Sequence, residues 1–359
     1  GVSAGLKRSR KPDMALVVSK TLAVCAGTLT TNRVKAPPVL ISAQRLTRGM
    51  ARAVLLNSGC ANCLTGAQGI RDALALSHAA AQALGVADRE VLVASTGMIG
   101  RRLPLRRMLR VMPDLVNSLS RAGHREAASG ILTTDARAKE VAMETSINGR
   151  RVHLGGMAKG AGMIAPSMAT MLCVLTTDAA IDRRLLKQLL RRVVESTFNR
   201  ISVDGDMSTN DTVFLLANGH SGVQLQTGTS GMQVFAGALQ AVAHRLARMI
   251  VADGEGASRL MEVVVSGARN AHEARMCARQ VATSPLVKTM LAGGDPNVGR
   301  IAAAVGASPA RFDPGKLEIH IQRLRVVAKG SAVPLSAAVV RTLLRRPEVT
   351  VRIHLHAGR

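Results

Sequence analysis

The sequence predicts an α/β protein, a layered αββα-type sandwich followed by a second, smaller C-terminal α/β domain. Short runs rich in Val and Leu, bounded by turn residues, alternate along the chain with stretches whose apolar residues recur at helical spacing. The mixed order of these runs indicates layers with at least partly antiparallel sheets. A length of 359 residues is sufficient for two domains. We expect the domains to span residues 1–257 and 258–359.

The individual elements follow from local patterns. Val- and Leu-rich runs predict strands at 14–19, 39–42, 53–57, 90–95, 171–176, 212–217, 260–266, 317–327 and 349–355. Apolar residues at helical spacing predict helices at 71–84, 105–119, 183–196, 232–251, 272–281 and 337–345, several with Arg on the opposite face. A Gly-rich turn at 253–256 separates the two sets and supports the domain boundary.

The chain is very basic, with a formal net charge of +25. Arginine clusters that neutralise phosphates are typical of nucleic-acid binders. Here the arginines are spread along the whole chain, Trp and Tyr are absent, and single-strand binders usually stack bases on aromatic rings. The pattern therefore favours an Arg-rich solvated surface that attracts anionic substrates, and nucleic acid is an unfavoured partner.

Cysteine usage and hydropathy indicate the compartment. Five scattered cysteines predict no disulfide framework, and the lone CxxC at 60–63 lacks the second pair that a zinc site needs. We therefore expect no metal. The apolar runs break at charges or Gly within about a dozen residues, too short for a membrane span, and the basic N-terminus is not followed by an apolar segment. The expected location is the cytoplasm, with no membrane association.

The segment from Lys159 to Leu172 is the most informative part of the sequence. Small residues and a lysine lead through Pro166 to Ala169-Thr170, which opens an apolar run. A threonine held in this way can attack the carbonyl of its own peptide bond. The new N-terminal threonine then has an α-amine that serves as base for its own hydroxyl. The alternative is a Gly-rich turn between two strands, and the segment alone does not decide between them.

Four other segments are too specific in composition to be ordinary loops. Thr96-Gly97 can aim a hydroxyl and a backbone N–H at one point, as an oxyanion hole requires, or can cap a helix. The segment 131–135 offers two hydroxyls and a carboxylate, or a cap for the next element. The segment 204–212 is acidic and rich in hydroxyls but lacks the spacing of an EF-hand. Glu255, in the turn 253–256, can meet an amine.

Together these motifs resemble the ornithine acetyltransferase / glutamate N-acetyltransferase family of arginine biosynthesis. The resemblance runs from Gly1 to Arg359, with the motifs in the expected order: 30–36, 57–59, 95–97, 133–135, 159–172, 198–200, 203–206, 253–256 and 284–289. It implies self-cleavage between Ala169 and Thr170 into an α chain, 1–169, and a β chain, 170–359. It also implies a heterotetramer of two chains of each kind.

The resemblance also implies roles for single residues. Thr170 is the nucleophile, and Thr96 with Gly97 forms the oxyanion hole. The positions expected to contact substrate are Thr133, Lys159, Thr170 and Glu255. The implied reaction is ping-pong: Thr170 takes the acetyl group from N-acetylornithine, ornithine leaves, and glutamate collects the acetyl group. No cofactor is implied, and whether acetyl-CoA also donates the acetyl group stays open.

Two other functions stay open at this point. One is an amidase or aminopeptidase that shares the self-cleaving architecture, and the other is a non-catalytic basic remnant. The resemblance also implies that the family continues for a few tens of residues beyond the position of Arg359, with an Asn and a Thr or Ser near its C-terminus that contact substrate. The resemblance therefore predicts a chain truncated at its C-terminus, with an incomplete C-terminal domain.

Overall fold

Residues 1–9, 11–165 and 171–358 are described by a computed structural model, in which the chain divides into two units, Gly1–Glu255 and Gly256–Arg359. The boundary predicted from the sequence lies two residues further along the chain.

The first unit contains one large sheet and seven helices among the described residues. Its strands are β1 (Met14–Leu29), β2 (Met50–Asn57), β3 (Val91–Ser95), β4 (Lys139–Ile147), β5 (Arg150–Lys159), β6 (Leu172–Thr177), β7 (Ala180–Ile181), β8 (Thr212–Ala217) and β9 (Gln224–Leu225). Its helices are α1 (Pro37–Leu46), α2 (Gly66–Leu84), α3 (Leu105–Arg110), α4 (Met112–Asn117), α5 (His124–Gly130), α6 (Arg183–Ser196) and α7 (Ser230–Ala252). Seven strands form the large sheet in the order β3-β2-β1-β8-β6-β5-β4, and β7 pairs with β9.

The two halves of the large sheet face one shared apolar cluster and so form two layers of the unit. In β2, Val54 and Leu56 belong to this inner cluster, and in β6 so do Leu172 and Val174. Successive side chains of a strand point to opposite faces. The intervening residues of β2 accordingly pack with α2, α3 and α4, and those of β6 pack with α6 and α7. The long strand β1 pairs with both β2 and β8. The layered α/β prediction is confirmed.

Helix α7 is longer than the apolar runs on which the prediction of no membrane span rests. It has 23 residues, and an 18-residue window within it has a mean hydropathy of 1.2, so by length and composition it could cross a membrane. Its residues Phe235, Leu239, Val242 and Leu246 are buried in the cluster that also contains α6. A core helix of a globular unit has the same length and hydropathy, so these properties are weak evidence for a span.

The second unit has its own sheet and core. Its strands are β10 (Leu260–Ser266), β11 (Glu318–Ile321), β12 (Leu324–Ala328), β13 (Ser331–Ala332) and β14 (Glu348–His354), in the sheet order β10-β14-β11-β12-β13. Its helices are α8 (Ala271–Thr283), α9 (Pro285–Gly293), α10 (Gly299–Gly306) and α11 (Ala337–Leu344). Strands β10 and β14 are parallel and the other pairs are antiparallel, so this unit is also mixed α/β.

Two sequence predictions are wrong because a proline outweighs the apolar pattern. Residues 39–42 are predicted as a strand but lie in α1, where Pro37 and Pro38 occupy the first helical turn. The fixed φ of proline favours that position. The single helix predicted over 105–119 is two helices, which meet at Val111 just before Pro113.

Two hairpins also differ from the sequence predictions. The strand predicted over 317–327 is the pair β11–β12, which turns at Gln322 with φ of +58°. The hairpin β4–β5 is not predicted at all, although its turn is Asn148-Gly149, with φ of +51° and +75°. Asn-Gly is the dipeptide preferred where both turn residues have positive φ, so a local signal was present in the sequence.

Candidate active site

Thr96 and Gly97 follow strand β3 directly and form a turn that rests on the loop after β2. Thr96 is 2% exposed, and its backbone N–H donates to the Asn57 carbonyl at 2.9 Å. The Asn57 side chain accepts from Ser95 Oγ at 2.6 Å and donates to the Cys60 carbonyl at 2.9 Å. One asparagine side chain thus joins the two segments that form the floor of the turn.

Gly97 has a backbone conformation and a contact that other residues do not tolerate. Its φ is +124°, and a Cβ built there would lie 2.6 Å from the backbone nitrogen of Cys60 and as near to the backbone of Gly59. Atoms of the main chain cannot swing aside as a flexible side chain would. The Gly at position 97 is therefore required by the close approach of the two backbones.

Lys159 ends strand β5 and is buried beside this turn. Its side chain is 2% exposed, and its Nζ lies 3.4 Å from Thr96 Oγ1 and 4.0 Å from Asp135 Oδ2. Burial lowers the pKa of Lys159, and the negative charge of Asp135 opposes this shift. Since the ammonium donates to the Thr96 oxygen, the Thr96 hydroxyl proton is free to donate elsewhere. The contact brings two sequence-predicted site residues together.

Asp135 is the centre of a buried charge network around Lys159. Its Oδ1 accepts from Lys139 Nζ at 2.7 Å and from the Gly160 N–H at 2.6 Å. Its Oδ2 accepts from the Thr133 N–H at 3.0 Å, which fixes the position of that predicted substrate contact. Lys139 is 1% exposed and also pairs with Asp253 Oδ2 at 2.6 Å. Burial alone would raise the pKa of Asp135, but the charges of Lys159 and Lys139 outweigh it, so the pKa is lowered.

Replacing Asp135 with Asn is expected to destabilise the first unit by about 3–5 kcal/mol at pH 7, because it leaves the buried Lys159 without this carboxylate and Lys139 with Asp253 alone. The lowered pKa sets the pH dependence. The contribution of the Asp135 carboxylate is present above about pH 4, the pKa of an unfolded Asp, and is lost as the pH falls through the folded value. Urea unfolding from pH 7 to pH 3 should show the wild-type and Asp135→Asn midpoints converging below about pH 4.

Asp88→Asn is the matched control for this measurement. Asp88 is 53% exposed and pairs with His78 on the surface, where an ion pair contributes at most about 1 kcal/mol. Equal midpoints for Asp135→Asn and Asp88→Asn at pH 7 would contradict the buried network.

Glu255 and the glycines after Lys159 lie against each other. The Glu255 N–H donates to the Ala161 carbonyl at 2.8 Å, and a Cβ on Gly162 would lie 2.7 Å from the Glu255 carboxyl carbon. The Glu255 charge weakly opposes the lowering of the Lys159 pKa by burial. The Glu255 carboxylate and the Lys159 ammonium are thus close enough to interact electrostatically.

The acidic segment 204–212 holds the main chain on both sides of the predicted cleavage site. Asp204 accepts from the N–H groups of Met163 and Ile164, the latter at 2.9 Å. Asp211 accepts from the Met171 N–H at 3.0 Å. The predicted nucleophile Thr170 and the predicted cleavage partner Ala169 lie outside the described residues. The segment therefore serves as a scaffold for backbone groups, a function that its composition did not reveal.

The described residues contain no group of three or more His, Cys, Asp or Glu side chains that could hold a metal ion. All five cysteines are buried and free. The chemistry available is that of two hydroxyl-bearing threonines, buried lysines and carboxylates. Sequence reasoning missed Lys139 as a member of this network. Its only local signal is that it lies four residues after Asp135, since its second partner is 114 residues away.

Comparison with known proteins extends over the whole chain, including the residues of this site. A sequence model of the ArgJ family matches residues 1–359. The chain belongs to the ArgJ family. Its sequence is similar to the arginine biosynthesis bifunctional protein ArgJ of Caldanaerobacter subterraneus subsp. tengcongensis, with 42% identity over 363 residues that cover 100% of this chain and 90% of the relative. The resemblance inferred from the motifs is thereby confirmed.

Two further relatives of the ArgJ family chain agree with this assignment. The glutamate N-acetyltransferase of Methanocaldococcus jannaschii is 44% identical over 359 residues, covering 97% of this chain and 87% of the relative. The crystal structure of the arginine biosynthesis bifunctional protein ArgJ of Bacillus halodurans is 38% identical, with a TM-score of 0.50 over 51% of this chain and 87% of that chain. The two sequence relatives cover 100% and 97% of this chain, so the comparisons do not support the expectation of a truncated chain.

Proposed function

We propose that this protein is a self-cleaving acetyltransferase that moves the acetyl group of N-acetylornithine to glutamate. The observation that carries the proposal is the contact of Lys159 Nζ with Thr96 Oγ1 at 3.4 Å. It places a buried cation next to the predicted oxyanion residues, at the end of the strand that pairs with β6. In the sequence, Thr170 comes two residues before β6. The names of the relatives, an arginine biosynthesis bifunctional protein and a glutamate N-acetyltransferase, support the same reaction class.

In the proposed self-cleavage, Thr170 Oγ attacks the carbonyl carbon of Ala169. The bond from that carbon to the Thr170 nitrogen breaks, and the nitrogen takes up the hydroxyl proton. Water then hydrolyses the resulting ester, which gives a carboxylate at Ala169 and restores the Thr170 hydroxyl beside its free α-amine. This amine lies on the same residue as the hydroxyl, so it can serve as the base in each later turnover.

In the proposed transfer, Thr170 Oγ attacks the acetyl carbonyl of N-acetylornithine. The α-amine accepts the hydroxyl proton and passes it to the departing ornithine nitrogen. The amine of glutamate then attacks the acetyl-threonine ester, and the proton it loses returns to Thr170 Oγ. Each step develops negative charge on the acetyl oxygen, which the Thr96 hydroxyl and the Gly97 N–H stabilise.

The charges of the site suit both substrates. Lys159 is the partner for a substrate carboxylate and Glu255 for a substrate ammonium, with Thr133 as a further contact. Such charge-assisted hydrogen bonds are stronger than neutral ones and fix the orientation of a small zwitterion. The two substrates share an α-carboxylate and an α-nitrogen, which carries the acetyl group in N-acetylornithine and receives it in glutamate, so one set of residues can bind each in turn.

The proposal includes an assembly and a location. The α and β chains come from one precursor and form a heterotetramer of two each, and the enzyme works in the cytoplasm. The reaction as written requires no cofactor and no metal. Acetyl-CoA is a second acetyl donor to test, since the bifunctional name of several relatives indicates two activities.

Denaturing mass spectrometry of the purified protein, combined with an acetyl-transfer assay on the same sample, tests the proposal. We expect two chains, one beginning at Thr170, and transfer of acetyl from N-acetylornithine to glutamate. Release of free acetate without transfer would favour the amidase or aminopeptidase. A single intact chain of 37.7 kDa with salt-sensitive binding to DNA and no transfer would favour the basic remnant.

A further inference from the structure

Asn210 is a buried side chain that joins the oxyanion turn to strand β8. Asn210 is 3% exposed, and its Nδ2 donates to the Ser95 carbonyl at 2.9 Å and to the Ala61 carbonyl at 2.7 Å. Its Oδ1 accepts from Thr209 Oγ1 at 2.6 Å. Two carbonyl partners require two donors, so the amide orientation is fixed by its surroundings and only an amide satisfies all three groups.

Asp211, the next residue, holds the start of strand β6. It is fully buried, and its Oδ1 accepts from the Met171 N–H at 3.0 Å. The Met171 carbonyl in turn accepts from the Thr212 N–H at 3.0 Å. The nitrogen of Met171 is bonded covalently to the carbonyl carbon of Thr170. Asp211 therefore holds the Met171 N–H, which in the sequence immediately follows the proposed nucleophile.

The two adjacent residues connect two parts of the site that are far apart in sequence. Ser95 is 115 residues from Asn210, and Met171 is 40 residues from Asp211. Consecutive Cα atoms are held about 3.8 Å apart by the trans peptide. The separation between the oxyanion turn and the Met171 N–H is thus set by one short, buried stretch of main chain.

We propose that Asn210 and Asp211 are positioning residues that align the oxyanion turn with the nucleophile, and that both self-cleavage and acetyl transfer depend on this alignment. The inference rests on the proposed function. The donors of an oxyanion hole stabilise the transition state only at the position that the developing oxyanion occupies. A displacement of about 1 Å costs roughly 100-fold in rate, even when no reacting group is removed.

The raised pKa of the Asp211 carboxyl indicates that Asn can replace Asp at this position without loss of the contact with Met171. Burial raises the pKa of Asp211 well above its usual value, and the Met171 N–H and the charge of Lys159 oppose the shift. A neutral carboxyl accepts the Met171 N–H through one oxygen, as the amide of Asn also does. Asp211→Asn thus preserves the contact, while Asp211→Ala removes it.

The test compares two substitutions that exchange the same two residue types with opposite expected effects. Asn210→Asp replaces the amide donors by acceptors facing two carbonyls, so we expect self-cleavage and the kcat of transfer to fall roughly 100-fold, with KM for N-acetylornithine nearly unchanged. Asp211→Asn is expected to stay within a few-fold of wild type. Asp211→Ala is expected to behave as Asn210→Asp does.

Rates are compared per cleaved, folded chain, and each variant's unfolding midpoint is measured in parallel. Asn218→Asp is the control for an Asn-to-Asp exchange beyond the opposite end of β8, and wild-type rates are expected for it. If Asn210→Asp does not fold, the difference between Asp211→Ala and Asp211→Asn decides the question alone.

Three results overturn the inference. The first is wild-type rates per folded chain in Asn210→Asp and Asp211→Ala. The second is a loss in Asp211→Asn as large as in Asp211→Ala. The third is a wild-type protein that neither cleaves nor transfers, which overturns the proposed function as well and so differs from the first two.

Discussion

Replacing Thr170 with Ala is expected to leave one uncut chain of 37.7 kDa and to reduce acetyl transfer by roughly four orders of magnitude or more. The substitution removes the hydroxyl that attacks both the Ala169 carbonyl and the acetyl group, and without cleavage the α-amine that serves as base never forms. Mass spectrometry reads out the cleavage, and transfer to glutamate reads out the catalysis.

Two other variants test whether the hydroxyl at this position is responsible. Thr170→Ser keeps the hydroxyl and is expected to retain part of both activities. Thr176→Ala removes a half-buried hydroxyl further along β6, whose Oγ1 contacts the Gly155 carbonyl at 3.5 Å, and is expected to cleave and transfer as wild type does. A cleaved and active Thr170→Ala protein would show that another residue is the nucleophile.

Replacing Gly97 with Ala is expected to lower kcat about 10²–10³-fold, the cost of losing one oxyanion donor. The new Cβ would lie 2.6 Å from the Cys60 nitrogen, and φ at this position is +124°. The main chain of the turn must therefore move, which turns the Gly97 N–H and the Thr96 hydroxyl away from the acetyl oxygen. Steady-state kinetics with N-acetylornithine and glutamate, together with the rate of self-cleavage, measure the effect.

Gly100→Ala separates the clash from the unfavourable φ. Gly100 lies in the same turn with φ of +80°, but a Cβ there has no atom within 4 Å. The substitution carries a backbone strain of about 1 kcal/mol without a collision, so its kcat is expected to stay within a few-fold of wild type. Equal losses in Gly97→Ala and Gly100→Ala would mean that strain, rather than the contact with the Gly59–Cys60 backbone, explains the requirement.

Elements with strong local signals were predictable. The helix over 183–196 has the predicted bounds, because Asp182 caps it by accepting from the N–H groups of Arg184 and Leu185. The strands over 212–217 and 260–266 also have the predicted bounds. Where a short apolar run fits both a helix and a strand, as at 39–42, periodicity could not decide, and the prolines before it did.

The candidate site was only partly predictable for a related reason. The motif around Thr170 is contiguous, and the Thr96-Gly97 turn follows a strand, so both have the order of residues that their chemistry requires. The segment 204–212 was noticed for its acidic composition, but composition does not reveal which backbone groups a carboxylate accepts. Its contacts with Met163, Met171 and the oxyanion turn depend on three segments that meet only in the folded chain.

The sequence by itself determined the layered α/β class, the family, and the residues proposed to carry the chemistry, because local order and covalent neighbours define these. Only the tertiary structure decided that Lys139 pairs with Asp135 and Asp253, that Lys159 reaches Thr96, and that Asn210 joins the oxyanion turn to strand β8. The physical reason is burial. A charge or an amide removed from water must find its partners wherever packing brings them, and here some lie more than 100 residues away in the chain.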